Sequence, residues 1–405
     1  MVALGSRCVA GLFGGTAMQI VHVITSLNIG GAQIMLRRFL QADTQGGRRH
    51  RVVSLMPSGR IRRELEDAGV EVIDLRMNGQ KGLPRALLQL RYLLRVDAPD
   101  VVHGWMYHGC LVAALTCPRR VPMVFGIHHS LQDPLTESRG TRVILRALAA
   151  LSGHSAAVAY CGRSIAEQHE AAGFAESRRV VIPNGIDCEH FRPDPQARAR
   201  LLTLCDIPAG RIVIGNVSRN HPMKDVGLLV RALKRALEDG VDAHLVVMGE
   251  GQEYGPAAKA RDTLGLADRV TVLPVRADVE RLVPGFDIFA LSSAWGEAFS
   301  LAMAEAMAAG VPCISTSVGD ALWLVGDRDR LVPPGDDRAM ATALSRLARM
   351  TSEARTALGA TDRERILKNF SLSSYVAAHA RLYERVCATP RSTPKAARGP
   401  SLAER

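Results

Sequence analysis

Residues 286–316 read FDIFALSSAWGEAFSLAMAEAMAAGVPCIST. The opening FDIFALSS is an apolar run of buried-strand length. The Ala/Met-rich run from Leu301 is helical in composition, and CIST after Pro312 is a second strand. Strand, loop, helix, strand is the repeating unit of an α/β sheet. Ligands of such sheets sit at the carboxyl ends of strands, against helix N-termini. Glu297, in the loop leaving the first strand, is therefore in a binding position. Ser300 has the place and chemistry of an N-cap. Glu305 follows about two turns into the helix. It is either on an exposed face or has a partner, because a lone carboxylate buried among Ala and Met is costly.

The same alternation extends in both directions. IVHVITSL (20–27), RVVSLMP (51–57), VEVIDL (70–75), DVVHGW (100–105), PMVFGIH (122–128), AAVAYC (156–161) and RVVIP (179–183) are strand candidates separated by helix-length amphipathic segments. No Asn-Gly hairpin turn joins any of them, so the reading is a parallel sheet with helices on both faces. The pattern stops at PNGIDCEHFRPDPQ (183–196), a Pro/Asp-rich linker. It restarts with RIVIGNVS (211–218), AHLVVMGEG (243–251), RVTVLP (269–274), the opening segment, and RLVPPGD (330–336). The fold class is α/β, with two Rossmann-like parallel-sheet domains in series and a cleft between them. The 405 residues are too many for one ordinary core. After residue 334 the pattern is helical.

The first residues, MVALGSRCVAGLFGGTA, have the outline of a weak signal peptide but run directly into a strand the fold needs. We read 1–17 as a disordered leader or misassigned start, with Met18 as the true start. Residues 388–405 are Pro/Ser/Arg-rich and read as a disordered tail. No uninterrupted apolar stretch is long enough to predict a membrane-spanning helix. The net charge of +11 favours anionic partners: phosphorylated substrates, an acidic membrane surface or nucleic acid. Nucleic acid is set aside, because aromatic residues are only 4% and the basic residues are scattered, without a stacking platform. Eight cysteines with no CxxC pair and no Cys/His metal spacing read as reduced thiols of a cytoplasmic protein.

Four further stretches carry candidate chemistry. In SLNIGGAQIMLRRFL (26–40), Gly30 and Gly31 follow a strand and open a helix. They allow either close backbone approach to a phosphate or simply a tight turn; the third glycine of a dinucleotide fingerprint is missing. In GIHHS (126–130), His128 and His129 end a strand and are either ligand-facing or structural. In NVSRNHPMKDVGLLVRAL (216–233), Arg219 and Lys224 follow a strand and precede a helix, which makes an anion clamp suited to a diphosphate, or else a solvated basic loop. In VVMGEGQE (246–253), Gly249 and Gly251 either line a nucleoside pocket or form a bare turn. Asp327 and Asp329 mimic a metal-binding DxD but stand among Arg328 and Arg330 in a solvent turn.

In order along the chain, PNGID, the Arg219/Lys224 pair, GEG and the Glu297 to Glu305 stretch continuing into AMAAGVPCISTSVGD resemble the retaining glycosyltransferases of family four, which have the GT-B fold. The resemblance covers residues 19 to about 386. It implies a nucleotide-sugar donor whose diphosphate is held by Arg219 and Lys224 and whose ribose is held by Glu305. Glu297, with the amides of Ala298 and Phe299, would hold the transferred sugar, in a pocket where Ala298 and Ser300 replace the family's frequent glycines. Gly31, beside Gly30, would lie under the diphosphate, and His128 would face the reacting sugar. Asn220 and His221 depart from the apolar residue usual after the arginine. The implied domains are 18–190 on the acceptor side and 191–370 on the donor side, with 371–387 as a helix returning to the first.

The expected activity is metal-independent, cofactor-free hexosyl transfer to a glycan or lipid-linked acceptor in exopolysaccharide or other surface-glycan synthesis. The expected location is cytoplasmic, peripheral on an anionic inner-membrane surface. Two other readings share the scaffold: a nucleotide-sugar epimerase or sugar phosphorylase, and a non-catalytic nucleotide-sugar-binding assembly subunit.

Overall fold

The computed structural model describes residues 17–388 except 29, 44–46, 58 and 132–136. The expectations for the leader up to residue 16 and for the tail from 389 lie outside the described residues. Within them, each of the thirteen apolar runs forms a strand.

The first sheet and its connections run β1 (Met18–Ile24), α1 (Gly31–Ala42), β2 (Arg48–Ser54), α2 (Arg60–Asp67) and β3 (Glu71–Asp74). There follow α3 (Leu83–Asp97), β4 (Val101–Trp105), α4 (Met106–Thr116), β5 (Met123–Ile127), α5 (Arg139–Ser152), β6 (Ala157–Tyr160), α6 (Arg163–Ala171) and β7 (Arg179–Val181). All pairings are parallel, in the order β3-β2-β1-β4-β5-β6-β7.

Right-handed crossovers put the helices on opposite faces according to the direction in which the chain moves along the sheet. Leu36 and Phe39 of α1 and Leu65 of α2 pack on one face. Leu90 of α3, Cys110 of α4, Leu148 of α5 and Ile165 of α6 pack on the other. Strands covered on both sides are nearly continuous apolar runs, with any polar side chain in them buried as well. Every residue of β4 and β5 is accordingly buried.

The second domain repeats the scheme. It begins with α7 (Ala197–Cys205), β8 (Ile212–Val217), α8 (Val226–Glu238), β9 (Ala243–Met248), α9 (Pro256–Thr263), β10 (Val270–Leu273) and α10 (Val279–Leu282). It continues through β11 (Ile288–Leu291), α11 (Leu301–Ala308), β12 (Cys313–Thr316), α12 (Ala321–Val325) and β13 (Leu331–Val332). Its sheet order is β10-β9-β8-β11-β12-β13. Three helices follow: α13 (Asp337–Ala348), α14 (Ser352–Asn369) and α15 (Leu372–Ala388).

The linker is stitched to the start of α15. The Ile186 amide donates to the Phe370 carbonyl, and the Leu372 amide to the Ile186 carbonyl, both at 2.8 Å. This directs α15 back onto the first domain, where Tyr375, Leu382, Tyr383 and Val386 join the core beside α1 and β4. No helix among the described residues is long and apolar enough to cross a membrane.

Candidate active site

The strand order reverses between β1 and β4 in the first sheet and between β8 and β11 in the second. Loops diverge at such a point and leave a crevice at the strand ends. Arg219 and Lys224 follow β8, and Glu297 follows β11. The two loops are bonded together: Ser292 Oγ donates to the Lys224 carbonyl and the Ala294 amide to the Met223 carbonyl, both at 2.8 Å. Lys224 Nζ pairs with Glu297 Oε1, which also accepts from Ser293 Oγ at 2.5 Å. Glu297 is only 7% exposed. The loop after β12 closes over it at Gly319, whose φ is +56° and where an added Cβ would lie 1.9 Å from the Glu297 carbonyl oxygen. Only glycine fits there.

Arg219 is exposed and has no ion-pair partner among the described residues. The lysine does not sit directly at a helix N-terminus: Asp225, at φ +37°, intervenes before α8. The Gly249–Gly251 segment is accounted for by the backbone alone. Gly249 has φ +149°, and a Cβ there would lie 2.0 Å from the Ser218 carbonyl, while Gly251 is left-handed at φ +70°. Because the Asn220 amide donates to the Glu250 carbonyl at 2.7 Å, this turn fixes the loop that carries Arg219.

Ser300 caps α11, accepting from the Met303 amide at 3.4 Å. Glu305, in the second turn, is neither an exposed charge nor alone: Arg38 Nη2 of α1 donates to its Oε1 at 2.7 Å, and both side chains are 14% exposed. Burial raises the Glu305 pKa above the usual carboxylate range, and Arg38 opposes the shift. Phe299 is a core side chain, its ring 5.4 Å from that of Phe370. The amides of Ala298 and Phe299 make no hydrogen bond among the described residues.

On the facing domain, an added Cβ on Gly31 would meet nothing within 4 Å among the described residues, and Gly30 has an ordinary extended φ of −173°. The protein's own packing therefore does not demand Gly31. His128 stacks on Trp105, the centroids 5.0 Å apart and the planes 13° from parallel. Burial lowers its pKa to about 3, with the nearby His379 acting in the same direction and the Asn184 side chain opposing it. Its Nδ1 is buried without a hydrogen-bond partner among the described residues. His129 instead pairs with Glu137 at 2.8 Å.

Residues that the sequence did not single out join the domains. Asp320, in the loop after β12, accepts from the amides of Arg163 (2.5 Å) and Ser164 (2.9 Å), so it caps α6 of the other domain. The Arg163 guanidinium lies over Trp323, 4.4 Å from the ring centre. A cavity of about 200 Å³ lies between Ser130 and Gln168 on one side and Gly296, Glu297, Ser317 and Gly319 on the other. Asp327 accepts from the Asp329 amide at 3.0 Å and from Arg330 at 3.2 Å, which makes the apparent DxD a capped turn. Among the described residues no group of three or more His, Cys, Asp or Glu side chains is placed to hold a metal ion.

Comparison with known proteins agrees with this layout. A model of Glycosyltransferase Family 4 matches residues 29–190, and one of Glycosyl transferases group 1 matches residues 211–350. The D-inositol 3-phosphate glycosyltransferase of Nocardia farcinica is 29% identical over 278 residues, 57% of this chain and 60% of that protein. The phosphatidyl-myo-inositol mannosyltransferase of Mycobacterium leprae is 31% identical over 188 residues, 45% and 46% of the two chains. The chain therefore aligns with less than two thirds of these relatives' own length. Among solved structures, Anabaena HepE in complex with UDP-glucose superposes with a TM-score of 0.78 at 21% identity, covering 91% of this chain and all of that one. A glycosyltransferase from Rickettsia africae gives 0.80 at 16% identity, covering 93% and 100%. With the first domain matched by the Glycosyltransferase Family 4 model, the second by the Glycosyl transferases group 1 model, and the two-sheet architecture shared end to end, the chain belongs to the family 4 glycosyltransferases of GT-B fold.

Proposed function

We propose that the protein transfers a glycosyl group from a nucleotide-sugar donor to an acceptor hydroxyl with retention of configuration. The observation that carries this reading is the Lys224–Glu297 contact at the switch point of the second sheet, with Arg219, which has no ion-pair partner among the described residues, on the same loop.

As the bond between the anomeric carbon and the phosphate oxygen breaks, negative charge grows on the departing diphosphate. Arg219 and Lys224 strengthen their hold as it does so, which stabilises the transition state more than the ground state. Glu297 and the unpaired amides of Ala298 and Phe299 orient the sugar, with Ser300, Gly249 and Gly251 fixing the walls around them. Glu305 takes the ribose hydroxyls, and Gly30 and Gly31 admit the diphosphate from the first domain. His128, neutral at physiological pH, offers a hydrogen bond to the reacting sugar rather than a proton.

A retaining glycosidase needs two carboxyls roughly 5 Å apart across the bond. Here each carboxylate is held by its own cation. That favours a same-face route in which the acceptor oxygen bonds to the anomeric carbon and its proton passes to the leaving phosphate. The proposed division of labour places the acceptor on 18–190 and the donor on 191–370, with 371–387 tying the two together.

The biological setting we propose is surface-glycan or exopolysaccharide assembly on a glycan or lipid-linked acceptor, at the cytoplasmic face of the membrane. It is supported by the chain's charge and by 33% identity over 181 residues, 44% of this chain, to an exopolysaccharide phosphotransferase of Streptomyces coelicolor, of which 18% is covered. We propose that no metal is required, and activity undiminished by a chelator tests this.

The deciding experiment is a thermal-shift screen of nucleotide sugars, followed by incubation of the best donor with and without acceptor and mass analysis of the products. Nucleoside diphosphate released only with acceptor supports transfer. Epimerised donor without acceptor, orthophosphate-dependent cleavage, or binding without turnover would each select one of the competing readings.

A further inference from the structure

Three large apolar side chains stand in the open on α3: Leu88 is 71% exposed, Tyr92 68% and Val96 63%. Their four-residue spacing puts them in one stripe along a single helix face. The opposite face explains why α3 is a helix, since Ala86, Leu90 and Leu94 fill the first domain's core. The outward stripe does nothing for that core. Scattered exposed apolar residues need no explanation, but apolar side chains gathered into one stripe and rimmed by polar residues point to an interaction surface.

Basic residues border the stripe. Lys81, Arg85, Arg91 and Arg95 are all exposed, and none forms an ion pair among the described residues. The helix's single carboxylate, Asp97, is occupied by Arg51. The pattern continues onto the neighbouring helices on this face of the sheet. Val143 of α5 is 65% exposed between Arg139 and Arg146, and Leu115 of α4 is 51% exposed. A second protein surface would need carboxylates matched to these cations one by one. A fluid anionic surface needs only charge density, with apolar side chains entering below the headgroups and long basic side chains reaching back to them.

We propose that the outer face of α3, extended by α4 and α5, is a docking surface for an anionic lipid bilayer. The helix leaves the carboxyl end of β3 and runs back along the sheet, so its N-terminal end, with Lys81 and Arg85, lies at the same edge of the sheet as Gly31 and His128. A bilayer along this face borders the mouth of the cleft. A lipid-linked acceptor would then meet the site without leaving its membrane. The docking itself rests on surface chemistry, whereas its link to an acceptor rests on the transferase reading above.

The test is flotation of the full chain with vesicles of equimolar phosphatidylglycerol and phosphatidylcholine, against phosphatidylcholine alone, at low and high salt. Each basic side chain near an anionic surface is worth roughly fivefold in partitioning. The triple variant Arg85→Ser/Arg91→Ser/Arg95→Ser should therefore lose on the order of a hundredfold. Leu88→Ser/Tyr92→Ser should lose binding at high salt first, because only the apolar contribution survives screening. All five positions are exposed, so unchanged circular dichroism should certify that the variants fold. Failure of the unaltered chain to float with anionic vesicles would overturn the proposal, as would flotation indifferent to both variants. So would lipid-free self-association abolished by Leu88→Ser/Tyr92→Ser, which would make the face a contact between copies. None of these readouts depends on sugar transfer, so a chain that bound vesicles but transferred nothing would sustain the docking surface and sink the activity.

Discussion

Arg38 of the first domain and Glu305 of the second meet at 2.7 Å across the cleft, each nearly closed off from solvent. Arg38, on α1, also lies 5.9 Å from the centre of the Phe191 ring, so α1, the linker and α11 converge on one guanidinium. If Glu305 receives the ribose hydroxyls, the donor has to displace Arg38 first. Arg38→Ala should therefore raise affinity for the preferred nucleoside diphosphate several-fold in calorimetry, and Glu305→Ala should abolish binding. An unchanged or weaker affinity for Arg38→Ala would mean that the arginine does not compete with the nucleotide.

The two cations after β8 should separate in their effects. Arg219 has no ion-pair partner to strand among the described residues, so Arg219→Ala should reduce turnover on the order of a hundredfold with no change in melting temperature. Lys224→Ala should reduce turnover at least as much while keeping the fold. It leaves Glu297 buried without its cation, so its melting temperature should fall as well. Kinetics alongside thermal denaturation of both variants checks the pair; equal melting shifts would contradict the contacts described.

Asp320 should matter to both domains. Asp320→Ala removes the cap of α6, worth about 1 kcal/mol, and with it two hydrogen bonds that join the domains. The expected result is a lower melting temperature with KM for the donor rising more than kcat falls. A purely local effect on stability, with KM untouched, would show that the cap plays no part in closing the cleft.

Acid should destabilise the first domain. Burial is the main cause that holds His22 and His103 well below the ordinary histidine value, His128 at about 3 and His379 at about 4. The unfolded chain binds these protons at the ordinary histidine pKa, while the folded chain resists them. The stabilisation is thus complete above the unfolded value and declines as pH falls towards the folded ones. Each histidine contributes a slope of roughly 1 kcal/mol per pH unit in that window. Urea midpoints between neutral pH and pH 4 should fall steeply, and His103→Gln should flatten the curve. A flat profile in the unaltered chain would refute it.

Most of the scaffold could be read from periodicity, because strands covered on both sides are nearly continuous apolar runs and the helices between them are amphipathic. FDIFALSS and CIST announced β11 and β12 with no help from their neighbours. The carboxylates were visible, but their partners were not: Arg38 precedes Glu305 by 267 residues, and nothing local in MLRRFL marks one of its two arginines as crossing to another domain. Asp320 was equally silent, since a cap normally belongs to its own helix, and here the helix is α6 of the facing domain. The two glycines of the GEG turn have local backbone reasons of their own: Gly249 lies against the Ser218 carbonyl, and Gly251 is left-handed at φ +70°.

The return of α15 has a bearing on the order in which this chain can be made. Tyr375, Leu382, Tyr383 and Val386 are buried in the first domain's core, yet they follow β7 by roughly 200 residues. At about 5–20 residues per second, a ribosome delivers them roughly ten to forty seconds after the last strand of that sheet has emerged. For that interval the apolar face of α1 and β4 that contains Phe39 and Trp105 lacks the α15 side chains that cover it in the folded chain. A truncation just after the second sheet would make that exposure permanent.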